Sequence, residues 1–297
     1  MRVTTNMTAN NALYNLQQGR SKLDKLQGEV ASGTLIQNPS DDPIATRQLL
    51  DLEENLKSGD QYSGNIAKGK VWLKMTDTAL GGISDMVRQA RRVAANIGSG
   101  SSDPTVSANA VSQLNEIKKQ LVNLGNTQLG DQYIFSGFKD SVAPFSTGAN
   151  TYAGTTDAIN INTDKNPSSQ VAINVTGDKV LTGAGGGVNI LQEIDNLINA
   201  INTNNIPSIQ ASATQLDKSS AQVDNARSDV AGRMMRLDSA ETFVTRNKNT
   251  VQSLIDNIQN VDMIKAATEL TQQKNAFEAA LSATAKISQL SLLDYLK

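Results

Sequence analysis

Apolar residues stand seven apart through much of the second half of the chain: Ile209, Leu216, Val223, Val230, Leu237, Val244, Val251 and Ile258. A second set follows most of these rungs by three or four residues and includes Ala213, Ala226, Met234, Ala240, Leu254, Ile255 and Val261. Two apolar positions per heptad on one side of a helix make a coiled-coil seam. After Pro207 no proline interrupts the stretch and Gly232 is its only glycine, so one helix of about 50 residues and about 75 Å can form at 1.5 Å per residue. Such a helix cannot cover its own stripe. Because 3.6 residues per turn drifts against a period of seven, the aligned rungs imply a left-handed wrap around other helices, which must come from elsewhere in the chain.

Upstream the pattern supplies them. Leu13, Leu16, Leu23, Leu26 and Val30 fall at helical offsets, with Gln, Asn and Lys on the other face. The run breaks at Ala31-Ser32-Gly33 and Asn38-Pro39-Ser40-Asp41-Asp42-Pro43. Gly33 suits a helix C-cap, Pro39 excludes Asn38 from the helical region, and the aspartates suit an N-cap before Pro43. Capping is a better reading of Asp41 and Asp42 than a metal or acid–base pair, since no further ligands stand nearby in sequence. A second helical tract, 44–97, carries Leu52, Ile66, Leu73, Leu80, Val87 and Ala94 at multiples of seven, with Gly59 and Gly69 read as interruptions of its seam. Trp72, the sole tryptophan, reads as packing. A turn at 98–104 leads to a third tract, Val106 to Leu124, expected antiparallel to the second.

Near Gly130 to Phe138 the period changes, and from Asp140 to Gly187 the composition shifts to Thr, Asn, Ser and Gly. Short alternating runs at 158–161, 170–175 and 179–181 predict strands of a small inserted β domain. Gly183 to Gly187 lacks the Lys-Ser/Thr of a phosphate loop, and Val188 occupies the last glycine position of a dinucleotide fingerprint. It reads as a flexible return linker. Ile190 to Ile201 restart an amphipathic helix, and a last tract carries Ile264, Ala267, Leu270, Phe277, Leu281, Ile287, Leu290 and Leu293. The expected fold is mainly α: long coiled-coil-like helices from both ends of the chain form a rod-like bundle, with a small β-rich insertion.

The absence of Cys and His removes thiol nucleophiles, disulfides, imidazole bases and nearly every zinc, copper or iron site with N or S ligands. A net charge of −2 gives no basic surface for nucleic acid, and Arg88, Arg91 and Arg92 read as one solvated face. The first residues contain no apolar core of a cleaved signal, and no run is long enough to span a bilayer. Acidic residues sit mostly on helix faces or at caps, not as the facing pair of a glycoside hydrolase. No catalytic, cofactor-binding or metal residue is assigned. Asn6-Met7-Thr8 and Asn174-Val175-Thr176 fit the glycosylation pattern, which recurs by chance.

Both ends of the chain resemble bacterial flagellins, and several motifs are similar to the flagellar hook-associated protein 3 family. They are the break motif 31–43, the entry Gly130-Asp131-Gln132-Tyr133-Ile134-Phe135-Ser136-Gly137 with Pro144-Phe145, and the ending Ala279-Ala280-Leu281 followed by Lys286 to Leu296 with its Leu292-Leu293-Asp294-Tyr295 run. Flagellin itself is the alternative; it usually starts its second helix differently from Pro43 and lacks that run. The resemblance implies a non-enzymatic structural subunit of the bacterial flagellum. It would be exported unfolded by the type III apparatus, secreted, and placed between hook and filament in support of motility. Its implied partners are hook-associated protein 1, flagellin, copies of itself in one layer and an export chaperone, with no membrane insertion.

Within this frame, residues 1–40 and 262–297 are expected to form a terminal assembly domain, 41–138 and 188–261 a helical rod, and 139–187 the β-rich outer part. The intrachain seam is Ile209, Leu216, Val223, Val230, Leu237, Val244, Val251 and Ile258. The subunit-assembly residues are Leu13, Leu16, Leu23, Leu26, Val30, Leu270, Phe277, Leu281, Ile287, Leu290 and Leu293. Their stripes are thinner than the inner ladder, so the terminal helices should be marginal, disordered or rapidly exchanging in the monomer, until neighbours cover them.

Overall fold

The computed structural model describes residues 5–99, 103–146, 148 and 150–295. In order they form α1 (Thr5–Ser32), α2 (Pro43–Gly98), α3 (Pro104–Gly125), β1 (Gln128–Leu129), β2 (Gln132–Tyr133), β3 (Asn160–Asn162), β4 (Gln170–Ala172), a π-helical turn (Asp178–Thr182), α4 (Ile190–Asn202), α5 (Ile206–Gln259) and α6 (Met263–Tyr295). Two compact units result, one from residues 1–57 and 247–297 and one from 58–246. The helices α2 and α5 contribute to both, so the division falls inside helices and not at their caps.

The larger unit is built on the seam. Ile209, Leu216, Val223, Val230 and Leu237 are wholly buried, as are Ile66, Leu73, Leu80 and Val87 seven apart on α2. Polar contacts across the two helices keep one antiparallel register: Arg91 with Asp217, Ser84 with Asp224, Arg227 with Asp77, and Lys70 with Asp238 and Glu241. Beside the rungs the seam also takes small polar residues. Ser212 and Ser219 are buried there, and the Ser219 hydroxyl donates to the Gln215 carbonyl at 2.9 Å, so its burial leaves no group unpaired. The α3 helix returns along α2, with the Leu124 side chain at Gly82, and α4 is tied to it by Lys118 and Asp195 at 2.6 Å. Asp103 caps α3 through the Thr105 N–H.

Between α3 and α4 the chain is stitched by side-chain-to-backbone bonds. Asn126 exchanges two with Phe145, and the Tyr152 hydroxyl lies 2.8 Å from the carbonyls of Phe135 and Thr155. The antiparallel hairpins are short: β1 pairs with β2, and β3 pairs with β4 in the register Ile161 to Val171. Three expectations change here. Residues 179–181 are not a strand but part of the π-helical turn. Val180 and Leu181 are both buried, whereas neighbours in a strand point to opposite faces. The glycine run 183–187 is not a loose linker: Gln222 of α5 accepts from the Val188 N–H and donates to the carbonyls of Val180 and Val188. Gly69 does not interrupt packing. A Cβ there would stand 2.6 Å from Ile161 Cδ1, 3.0 Å from Ile173 Cγ2 and 3.1 Å from Leu237 Cδ1, so the missing side chain is what lets the β3–β4 hairpin sit on α2 and α5. Asn174 is buried, with its amide bonded to Asp157 and Ile159, which removes it as a glycan acceptor.

In the smaller unit the two ends of the chain pair antiparallel. Leu35 N–H donates to Gln259 O at 2.7 Å and Val261 N–H to Gly33 O at 3.0 Å, joining the end of α1 to the start of α6. Farther along, the Gln273 amide donates to Gly19 O, and the Phe277 ring lies against Gly19. Gly33 leaves α1 at φ +73°, a conformation glycine reaches without steric cost. Asp42 accepts from the N–H groups of Ile44 and Ala45, and Asp41 from those of Gln37 and Asn38. Asp42 therefore caps α2, whereas Asp41, expected as a cap, instead holds the loop before it through bonds from preceding residues. Leu49, Val251 and Ile255 form a small separate core beside Ile36, Leu52, Leu56 and Ile258.

Candidate assembly surfaces

The helical phase decides which apolar residues the fold uses and which it leaves over. On α1, Leu16, Leu23, Leu26 and Val30 repeat at offsets of seven, three and four and are half-buried or buried. On α6 the corresponding positions are Ala266, Leu270, Gln273 and Phe277. These residues are spent on the pair between α1 and α6. Leu13 and Leu281 each fall one position off this phase and remain 56% and 54% exposed. The side chains of Ile287, Leu290 and Leu293 lie outside the described residues. Along α5 the expected seam is buried from Ile209 to Val251, with Ile258 half-buried; Leu254 of the second set points outward.

Sequence reasoning missed a second group of exposed apolar residues in the smaller unit. Ile44 and Ile264 are 82% and 83% exposed. Each stands two residues after a capping aspartate, Asp42 or Asp262, whose carboxylate accepts the isoleucine's own N–H. A readable signal exists, because both isoleucines lie one position off the buried phase of their helices. Leu35, Leu50 and Met263 are also largely exposed.

Electrostatics add little chemistry. Hydrogen bonds from the backbone of Asn38, and then Gln37, hold the Asp41 carboxyl below the ordinary aspartate value, aided by Lys25. Lys70 is held above the usual lysine value by Asp238 and Glu241. Among the described residues no three acidic side chains gather as metal ligands, and no helix is long and apolar enough to cross a membrane.

Comparison with known proteins places these surfaces in context. A model of the bacterial flagellin N-terminal helical region matches residues 3–140, and one of the C-terminal helical region matches residues 213–296. The chain is similar to flagellar hook-associated protein 3 of Escherichia coli, at 24% identity over 100% of both chains. It is also similar to flagellar hook-associated protein 3 of Salmonella typhimurium, at 23% identity over 98% of each. The solved structure of a putative flagellar hook-associated protein from Vibrio parahaemolyticus is 26% identical with a TM-score of 0.68, covering 74% of this chain and 100% of that one. Flagellar hook associated protein-3 from Legionella pneumophila shares the fold at a TM-score of 0.62 and 14% identity, over 70% of this chain and 98% of that one.

Proposed function

The chain belongs to the bacterial flagellin family, in its hook-associated protein 3 branch, and from that membership we infer that it is the structural subunit joining the flagellar hook to the flagellin filament. In this role it is exported unfolded with the help of a flagellar chaperone and secreted to the tip of the growing structure. It docks on hook-associated protein 1, packs beside copies of itself in one layer and receives flagellin, supporting motility without performing catalysis.

The observation that carries this reading is the division of labour among apolar residues. The inner seam is consumed within the chain, while Leu13, Ile44, Ile264 and Leu281 stay in water. Left uncovered, such residues favour aggregation; covered by neighbouring subunits, each buried aliphatic side chain contributes roughly 1.5 to 3 kcal/mol. Residues 1–40 and 262–297 serve assembly in this proposal, 41–138 with 188–261 give stiffness, and 139–187 serve as the outer part. The test is localisation. Antibody against the chain should label intact flagella in one narrow band at the distal end of the hook, and a strain lacking the gene should secrete flagellin without keeping a filament. Labelling along the whole filament would instead make the chain a flagellin.

A further inference from the structure

The β3–β4 hairpin ends in two unequal edges. Thr163 N–H donates to Ser169 O and Ile173 N–H to Ile159 O. With Ile161 opposite Val171, the backbone groups of Ile161 therefore face β4, and those of Asn160 and Asn162 turn outward. On β4 the outward carbonyls are taken: Arg233 of α5 donates to Ala172 O at 3.2 Å and Arg236 to Gln170 O at 3.0 Å. On β3 only Asn162 O has a partner, the Asn65 amide of α2 at 3.3 Å. The N–H and carbonyl of Asn160 and the N–H of Asn162 bond to nothing among the described residues. Against this free edge lies an open groove of about 670 Å³, with Asn65, Val71, Phe138, Ile159 and Ile161 on its walls. Val71 is 55% and Phe138 61% exposed. Lys68 and Asp140, one of each sign, also stand there, so apolar contact and not charge selects what the groove takes.

Edge and groove ask for the same chemistry. Unpaired N–H and C=O groups at strand spacing match an extended backbone. In an antiparallel addition the residue set opposite Ile161 carries its side chain on the face of Ile161, and so into the groove. Its neighbours, opposite Asn160 and Asn162, carry theirs outward beside two exposed asparagines. A lipid or a compact apolar ligand would fill the groove and leave the edge unpaired. We propose that the free edge of β3 receives an extended segment of an unlike partner protein, alternating polar and apolar residues. The segment pairs with Asn160 and Asn162 and sets its apolar side chains in the groove beside Val71 and Phe138. This contact goes beyond the junction role and does not depend on it.

The probe is a capped pentapeptide that alternates threonine and valine, added at millimolar concentration to the full chain labelled for NMR. Amide exchange at Asn160 and Asn162 should slow roughly fivefold as the two N–H groups gain acceptors. The same peptide N-methylated on its threonines cannot donate to the edge and should bind roughly tenfold more weakly. Asn160→Pro removes an N–H that the fold leaves free, at an edge position where proline is tolerated. It should keep the native melting transition and lose the peptide's protection of Asn162. If this variant fails to fold, the N-methylated peptide decides on the unaltered protein. Exchange at both amides unchanged by the peptide overturns the proposal, as does equal binding of the N-methylated peptide, which would mean apolar adhesion without strand pairing. Slowing of both amides in the protein alone as its concentration rises also overturns it, since a second copy would then be the occupant.

Discussion

Gly69 shows how a single residue can be read correctly as a local fact and wrongly as a structural one. Its place on the seam of α2 was visible from spacing, but the side chains that fill its space, Ile161, Ile173 and Leu237, come from distant segments, and no local period encodes them. Gly69→Ala should therefore destabilise the larger unit. The added methyl overpacks a filled site, at about 1–3 kcal/mol, against a helix-propensity gain of about 1 kcal/mol. Urea unfolding should show a lower midpoint; an unchanged or higher midpoint would contradict this reading. Asp42 was legible as the cap of α2 because caps are local chemistry, whereas Asp41 serves the loop and not the helix end. For Asp41 the sign of the pH effect follows from its lowered pKa. The stabilisation is fully present above the ordinary value of 3.8 and is lost as pH falls through the lower folded value. The melting difference between the native protein and Asp41→Asn should be constant near neutrality and close below about pH 4. A gap that widens on acidification would be inconsistent with the Asn38 and Gln37 bonds.

At the scale of elements, α5 was the most legible because its period is written in one continuous stretch and strong rungs tolerate no shift of phase. The terminal helices were legible as helices, and their partner in the chain was the expected one. What spacing could not settle was phase: Leu13 precedes Leu16 by a helical offset, yet the buried stripe runs through Leu16, Leu23 and Leu26, and Leu13 turns outward. The β-rich part was least legible, since its short pairings lean on side-chain bonds such as those of Asn126 and Tyr152. These differences predict unequal responses to substitution. Leu237→Ala, on a wholly buried rung, should cost about 2–5 kcal/mol. Leu281→Asp, on an exposed site, should leave the monomer's melting transition within about 0.5 kcal/mol of the native protein while blocking incorporation into flagella. Amide exchange should grade the same way, slow along 209–244 and fast along 5–30. Equal protection of both tracts in a verified monomer would show that the terminal pair does not depend on neighbours.

For the whole molecule the consequence concerns what the protein does not build. A filament subunit stacks on itself without limit, so the surface it offers to the next layer must complement the surface it rests on. A junction subunit meets a different protein on each side of its layer. Selection then keeps its lateral contacts self-complementary and leaves its axial ones matched to others. In the proposed junction role Leu13, Ile44, Ile264 and Leu281, exposed in the terminal unit, are the residues left for unlike neighbours. Purified protein should accordingly remain monomeric or form short lateral oligomers as concentration rises, and the addition of flagellin seeds should not convert it into tubes. Electron microscopy after prolonged incubation at high concentration gives the deciding view. Long self-assembled tubes would mean that the terminal surfaces complement each other, and the chain would then be acting as a flagellin.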